Sequence, residues 1–288
     1  MGSPGLLLIR GLGHSGTTIL DLALGTHPRM LGLGEAVRVL RTPLPGEETR
    51  GPARLRAELK HERLCTCGRT AALCPIWGDL LTWLPEHDHL PLPDKLQQLL
   101  DQVDRHSSQQ GREISWVVES YQDDLQLPLG VLPDLEVRVV FLVRDVRSWV
   151  HSRARDAQRK GQAFPALRSL ARWWWVNRRF ERELRSCGKP VFVLGYEQLA
   201  LEPERSLTRL CSWLGLEFTP AMLQPGGASN SHLLAGNRLR FDPEKSRRIR
   251  YDASWLQGAV WPASPALLWP GLARLNRRLV YSDGRLSS

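Results

Sequence analysis

Gly11-Leu12-Gly13-His14-Ser15-Gly16-Thr17-Thr18 is the stretch on which the reading of this chain turns. The apolar run Leu6-Leu7-Leu8-Ile9 precedes it, and an apolar-periodic segment from Ile19 to Leu24 follows. That is the order of a strand, a glycine-rich turn and a helix. In such a turn the backbone N–H groups and the helix N-terminus cradle a phosphate. The spacing follows the phosphate-loop pattern G-x-x-x-x-G-K-[ST] except that Thr17 stands in the place of the lysine. The loop lysine serves the β- and γ-phosphates of a triphosphate. Without it, and with hydroxyls at Thr17 and Thr18, the loop suits a nucleotide carrying a single 5′-phosphate group. A glycine-rich turn with no ligand is the bland alternative, and the strand–loop–helix order speaks against it.

Composition sets wide bounds. A chain of 288 residues, 42% of them apolar, suits one large α/β domain, with or without an inserted subdomain. Lys+Arg 39 against Asp+Glu 30 gives a net charge of +9. That balance favours anionic ligands without choosing among them, and a solvated arginine-rich surface accounts for most of it. No helix-turn-helix, zinc-finger or RNA-binding signature is present, so no specific nucleic-acid partner is expected. Met1-Gly2-Ser3-Pro4 lacks the basic start of a secretory signal. No run reaches the roughly 18 apolar residues of a spanning helix. A cytoplasmic protein without a transmembrane segment is expected, and five cysteines fit a reducing compartment.

Four apolar runs read as buried parallel strands: Leu6–Arg10, Ser115–Glu119, Val137–Arg144 and Pro190–Gly195. Helical patterns separate them, which predicts an α/β fold of the P-loop type, a parallel sheet flanked by helices. Residues 1–288 are expected to form one domain, with a helical insertion at about 36–112 that includes an amphipathic stretch near Asp94–His106. The last third looks irregular, with short helices expected over Pro203–Leu214 and from Ser264 to Leu279. The latter carries Trp and Leu on one side and Arg274, Arg277 and Arg278 on the other. Packing on its own domain is the favoured use of that pattern, with peripheral membrane contact as the alternative. The tryptophans at 173–175, 255, 261 and 269 read chiefly as core packing, and an acceptor pocket is the other use for such rings.

The third run leads straight into Arg144-Asp145-Val146-Arg147-Ser148-Trp149-Val150-His151-Ser152. Asp145 is placed to cap the following helix. Arg144 falls at the carboxyl end of a strand, where open α/β sheets bind ligands. Ser148 and Ser152, four apart, share a helix face. An arginine fork completed by a serine hydroxyl makes a second anion site. Two such sites on one sheet edge suit a nucleotide phosphorylated at both ends. A surface arginine with two ordinary helix serines is the competing reading.

These motifs together resemble the sulfotransferases that use 3′-phosphoadenosine-5′-phosphosulfate (PAPS), most closely the bacterial branch with a G-H-S-G-[ST]-T loop. Gly13, His14, Ser15, Gly16, Thr17 and Thr18 look like that family's 5′-phosphosulfate site. Arg144 and Ser152, eight apart, match its 3′-phosphate pair. Leu33-Gly34-Glu35, Cys65-Thr66-Cys67-Gly68 with Cys74-Pro75-Ile76-Trp77, Tyr196-Glu197-Gln198-Leu199, Gly236–Phe241 and Asp252–Trp255 are also similar to its elements, in the expected order.

The resemblance implies transfer of a sulfonate to an acceptor hydroxyl by in-line displacement, with adenosine 3′,5′-bisphosphate (PAP) leaving. A carbohydrate, glycolipid or small metabolite is the acceptor expected. As in phosphoryl transfer, the protein mainly positions groups and stabilises charge, and no metal is expected. Glu35 is the candidate general base. It lies 21 residues after His14, the separation found in the related tyrosylprotein sulfotransferases. An ion pair with Arg38 or Arg41 is the structural alternative. His14 stands where other branches hold lysine or arginine against the bridging oxygen, and it is itself a second candidate for the base.

Asn237, Arg238 and Arg240 could close over the 3′-phosphate or acceptor, with surface arginines as the plain alternative. Glu119-Ser120-Tyr121-Gln122 replaces a D-S-S-K element common in relatives, so Gln122 removes a cation. A catalytically weak PAP-binding relative therefore stays open, as does a P-loop nucleotide kinase, although the missing lysine argues against the kinase. Cys65, Cys67 and Cys74, with His61, invite a zinc reading, but C-x-C-x₆-C is not a standard paired spacing. Buried structural thiols are preferred.

Overall fold

Along the first strand Leu6 and Leu8 enter one hydrophobic core while Leu7 and Ile9 enter another, and all four are buried. A strand apolar on both faces must be covered on both faces, and the fold follows from that demand. The structure is a computed structural model that describes residues 4–42, 63–120, 135–227, 229–257 and 264–286. In chain order its first half holds β1 (Gly5–Arg10), α1 (Thr17–Gly25), β2 (Met30–Gly32), α2 (Ala36–Leu40), α3 (Gly78–Trp83), α4 (Leu92–Gln109), β3 (Trp116–Glu119) and β4 (Val137–Val143). The second half holds α5 (Val146–Arg159), α6 (Ala166–Ser186), β5 (Val191–Gly195), α7 (Tyr196–Leu201), α8 (Pro203–Leu214), α9 (Pro243–Ser246), α10 (Ser254–Gln257) and α11 (Pro270–Val280).

The strands form one five-stranded parallel sheet in the order β2-β3-β1-β4-β5. β1 is central, with Leu6 opposite Val117 of β3 and Val137 of β4. This is the expected α/β architecture. Helix α1, through Ile19, Leu20, Ala23 and Leu24, packs in the core that also takes Leu7 and Ile9. Helix α5, through Val146, Trp149 and Val150, packs in the core on the other face. The helices that follow the adjacent strands β1 and β4 thus leave to opposite sides, opening a crevice at the carboxyl ends of both strands.

All four expected strands are present, and β2 is an addition. It has three residues and shows no readable alternation; edge pairing with β3 holds it. The expected helix from Ser264 to Leu279 is divided into a 3₁₀ turn at Ser264–Leu268 and α11 from Pro270. Proline can open a helix but not continue one. The apolar side of α11, Leu272, Leu275, Leu279 and Val280, is buried in its own domain. Among the described residues no helix is long and apolar enough to cross a membrane.

Gly195 closes β5 and starts α7, and a Cβ there would land on the Val280 carbonyl oxygen at the end of α11. Gly195→Ala must push α11 away from the sheet. Its expected cost is about 1–3 kcal/mol, read from the midpoint of urea unfolding.

Candidate active site

The glycine-rich loop turns out of β1 through two left-handed residues, His14 at φ 73° and Gly16 at φ 96°. At Gly16 any side chain would also strike the Tyr196 ring, with Cδ2 2.5 Å from the Cβ position. Gly16 caps α1, which has no side-chain cap and no acidic residue in its first turn. Its positive end therefore faces the crevice with no acidic side chain in the first turn to offset it. The hydroxyl residues Ser15, Thr17 and Thr18 are buried around this turn.

Arg144, at the end of β4, reaches this loop directly. Its Nη1 donates to the His14 carbonyl at 3.2 Å, its Nε donates to Ser148 Oγ at 2.8 Å, and its Nη2 pairs with Asp252 Oδ2 at 3.1 Å. The guanidinium lies over the Tyr196 ring, 4.6 Å from its centre. Ser148 passes the connection on, donating to Glu197 Oε1 at 2.8 Å. The sequence linked Arg144 with Ser152; the structure gives Arg144 to Ser148 and turns Ser152 toward His14, with Oγ 3.4 Å from Nδ1. Two indoles brace the arrangement. Trp149 Nε1 donates to the Gly13 carbonyl at 2.7 Å and Trp173 Nε1 donates to the Arg144 carbonyl at 2.9 Å. Asp145 caps α5 as expected, accepting from Arg147 N–H at 2.9 Å.

Asp252 is the acidic member of the site. Against the pull of burial, hydrogen bonds from Ser254 and the charge of Arg144 hold its carboxyl below the usual range. Arg155 stands 3.8 Å away on the other side. Asp252 and Tyr196 belong to familiar-looking motifs, but nothing in their spacing revealed that both attend Arg144.

His14 is only part-buried by its neighbours, yet burial first and the charge of Arg153 next lower its pKa to about 4, with Asp156 opposing. Asp156 Oδ2 lies 3.9 Å from Nε2. With its pKa at about 4 the ring is neutral at pH 7.

Glu35 sits at the start of α2, 7% exposed, and pairs with Arg38 Nε at 3.0 Å. Its N–H donates to the Ala235 carbonyl at 3.3 Å. Beneath it Asp21 is fully buried, accepts from Gly34 N–H at 3.1 Å and hydrogen-bonds with Ser120. Burial, aided by the neighbouring Glu119 and Glu35 charges, raises the Asp21 pKa to about 8. Glu119 in turn pairs with Arg10 at 3.5 Å.

The C-terminal candidates divide. Arg240 donates to the carbonyls of Leu234, Gly236 and Asn237, closing its own loop. The Arg238 side chain, Gln122 and His61 lie outside the described residues. Cys65, Cys67 and Cys74 are brought together, and the histidine that joins them is His232, which sequence spacing did not connect. Of the tryptophan cluster, Trp173 is buried while Trp175 is 63% exposed, so only part of it serves the core.

A parallel sheet with a glycine-rich loop at the carboxyl end of its central strand, and a buried arginine bonded to that loop, defines the class as α/β with a P-loop-like turn. The model of the sulfotransferase family matches residues 6–220, and the chain belongs to that family. The sulfotransferase domain from the Synechococcus PCC 7002 olefin synthase shares the fold with a TM-score of 0.60 and 18% identity, over 96% of this chain and 95% of that one. The sulfotransferase domain from the curacin biosynthetic pathway does so with a TM-score of 0.57 and 17% identity, over 98% and 99%. No curated protein matches the chain in sequence. Family and fold together make this a transferase.

The two shifted groups give opposite pH signatures. Asp21 holds a proton in the folded state that the unfolded chain loses above about pH 4. Its contribution is present below that pH and is lost as pH rises through about 8. Asp21→Asn is therefore expected to flatten the fall in unfolding free energy between about pH 4 and about 8, measured by urea titration at several pH values. His14 should show no protonation in ¹H–¹³C NMR at pH 6, since its folded pKa is about 4.

Proposed function

We propose that the protein transfers a sulfonate group from PAPS to an acceptor hydroxyl and releases PAP. The observation that carries this reading is the contact between two motifs 130 residues apart: Arg144 bonds the loop at the His14 carbonyl, and Ser152 faces the His14 ring. A loop for a 5′-phosphosulfate and an arginine–serine pair for a 3′-phosphate thus share one crevice.

In this reading the N–H groups of the loop and the first turn of α1, with Ser15, Thr17 and Thr18, hold the 5′-phosphosulfate. Such donors, fixed before the reaction, stabilise charge growing on the leaving phosphate without reorganising. The 3′-phosphate takes the position at Arg144 Nη2 that Asp252 holds in the ligand-free protein, with Ser152 beside it. His14 faces the bridging oxygen. A doubly anionic ligand there offsets the repulsion from Arg153 and raises the imidazole pKa, so the ring can shift toward the protonated form as the cofactor binds. Glu35 takes the acceptor proton. Its pairing with Arg38 at 3.0 Å orients the carboxylate. The acceptor class is an alcohol on a carbohydrate, glycolipid or small metabolite, and no step in this chemistry calls for a metal. Arg238 and Arg240 would contribute at the rim, Arg240 by holding the shape of its loop.

Thermal unfolding with PAP, PAPS and ATP–Mg²⁺ at matched salt is the direct test. PAP and PAPS at about 100 times Kd should each add roughly 2.7 kcal/mol of stability, with no response to ATP. A response to ATP alone would replace this reading with a kinase.

Arg144→Ala should weaken PAP by roughly 10-fold or more, as expected for loss of a charge-assisted bond. Glu35→Gln should bind PAP normally and lose roughly 10²–10⁴ in kcat. Full turnover in that variant would move the base role to His14.

A further inference from the structure

Away from the phosphate loop, three thiols and one imidazole converge on a single point. Cys74 Sγ lies 3.6 Å from Cys65 Sγ, 3.9 Å from Cys67 Sγ and 3.2 Å from His232 Nδ1. Cys65 Sγ lies 4.0 Å from the same nitrogen, and all four atoms are within 4.8 Å of one another. We propose that Cys65, Cys67, Cys74 and His232 bind one Zn²⁺ in a closed structural site. This departs from the expectation that the chain holds no metal, and it is independent of the reaction proposed above.

The distances fit the ion. Zinc bonds of about 2.3 Å to sulfur and 2.0–2.1 Å to nitrogen set tetrahedral edges of roughly 3.5–3.8 Å between ligand atoms. The observed separations straddle that range. A disulfide needs sulfurs at about 2.05 Å, far closer than these, and three thiols would leave one over. Three soft thiolates with one imidazole select zinc over hard cations such as magnesium.

The backbone is also built for thiolates. The N–H of Cys67 hydrogen-bonds with Cys65, that of Arg69 with Cys67 and that of Ile76 with Cys74. Each sulfur thus receives an N–H from two residues further along the chain. Such donors offset the negative charge that zinc-bound sulfur carries. Gly68, at φ 82°, turns the chain so that Cys65 and Cys67 face one way, and the Leu64–Thr70 bridge closes this small hairpin. His232 is aimed by its own main chain. Its N–H donates to the Gly32 carbonyl at 2.7 Å and its carbonyl accepts from Trp77 Nε1 at 2.6 Å.

Four protein ligands leave no open position, so the ion would clamp and not catalyse. It would join the hairpin of residues 63–74 to the strap of residues 229–236. Thr66 Oγ1 already ties the same two segments, donating to the Ser231 carbonyl at 2.7 Å and accepting from Leu233 N–H at 2.9 Å. The strap runs on to Ala235, whose carbonyl accepts the Glu35 N–H. Loading the site exchanges thiol protons for the metal, with no change of oxidation state.

The test uses the full reduced chain, purified without chelators or a metal-affinity tag. Elemental analysis should find about one zinc per chain. Replacement by Co²⁺ should give the near-ultraviolet charge-transfer and visible bands of a tetrahedral cobalt–thiolate centre. Cys67→Ser, at the least buried ligand, should lose about a third of the charge-transfer intensity, and Cys187→Ser should lose none. His232→Cys should keep the metal. Metal contents well below one, with no cobalt–thiolate bands when Co²⁺ is added to the reduced protein, would overturn the proposal. The wild-type metal content and cobalt spectrum decide it even if a cysteine variant fails to fold.

Discussion

The buried guanidinium of Arg144 is the constraint around which the crevice is arranged. At 6% exposure its charge has little water to hold it. A buried charge left unpaired costs several kcal/mol, so each edge of the planar group must find a partner. Those partners come from different parts of the chain: Ser148 on α5, the His14 carbonyl in the loop and Asp252 near the C-terminal end, with the Tyr196 face beneath. Satisfying one side chain therefore fixes the loop, two helix starts and a distant segment relative to one another. The same need explains Glu197. Its carboxylate is buried, which raises its pKa, and it is spent on Ser148 Oγ and the Asp145 N–H.

The arginine in the crevice is balanced by an acid, Asp252. Asp252 is the most exposed of the groups on Arg144, with a side chain 32% exposed against 7% for the arginine. Asp252 is the carboxylate that pairs directly with Arg144, at 3.1 Å, and it also lies 3.8 Å from Arg155. Burial keeps His14 neutral, and the nearby Arg153 charge adds to that effect. Neutrality here is a product of burial first and of the Arg153 charge second, and only the second is a condition that added negative charge offsets.

How much of this was legible in sequence depends on the range over which each feature is set. The strands and the glycine-rich turn were legible because hydrophobic runs and a positive-φ glycine such as Gly16 are local demands. Asp145 was legible as a cap for the same reason. β2 was not, because three residues carry no period and only pairing with β3 makes them a strand. The direct Arg144–Ser148 hydrogen bond was hidden too. Ser148 and Ser152 lie on one helix face, and only the direction in which Arg144 leaves β4 selects between them. His232 lies far along the chain from the cysteines it meets, and no spacing rule spans that distance. Trp149 and Trp173 read as core residues, and they are buried; that each indole N–H also ends on a carbonyl of the site could come only from the fold.

The acidic group under Glu35 follows from the same economy. Asp21, Glu35 and Glu119 are all buried close together, and three ionised carboxylates in one apolar region would repel strongly. Arg38 answers Glu35 and Arg10 answers Glu119. Asp21 is answered by main chain and Ser120, with no cation, and it is the one whose pKa climbs. The proton therefore settles at Asp21, the carboxyl without an arginine. A neutral Asp21 still holds the Gly34 N–H, which fixes the left-handed turn at Gly34 just before Glu35. The candidate base thus depends on a neighbouring acid that stays protonated, on an arginine that orients its carboxylate, and on a strap carbonyl at Ala235 that holds its backbone in place.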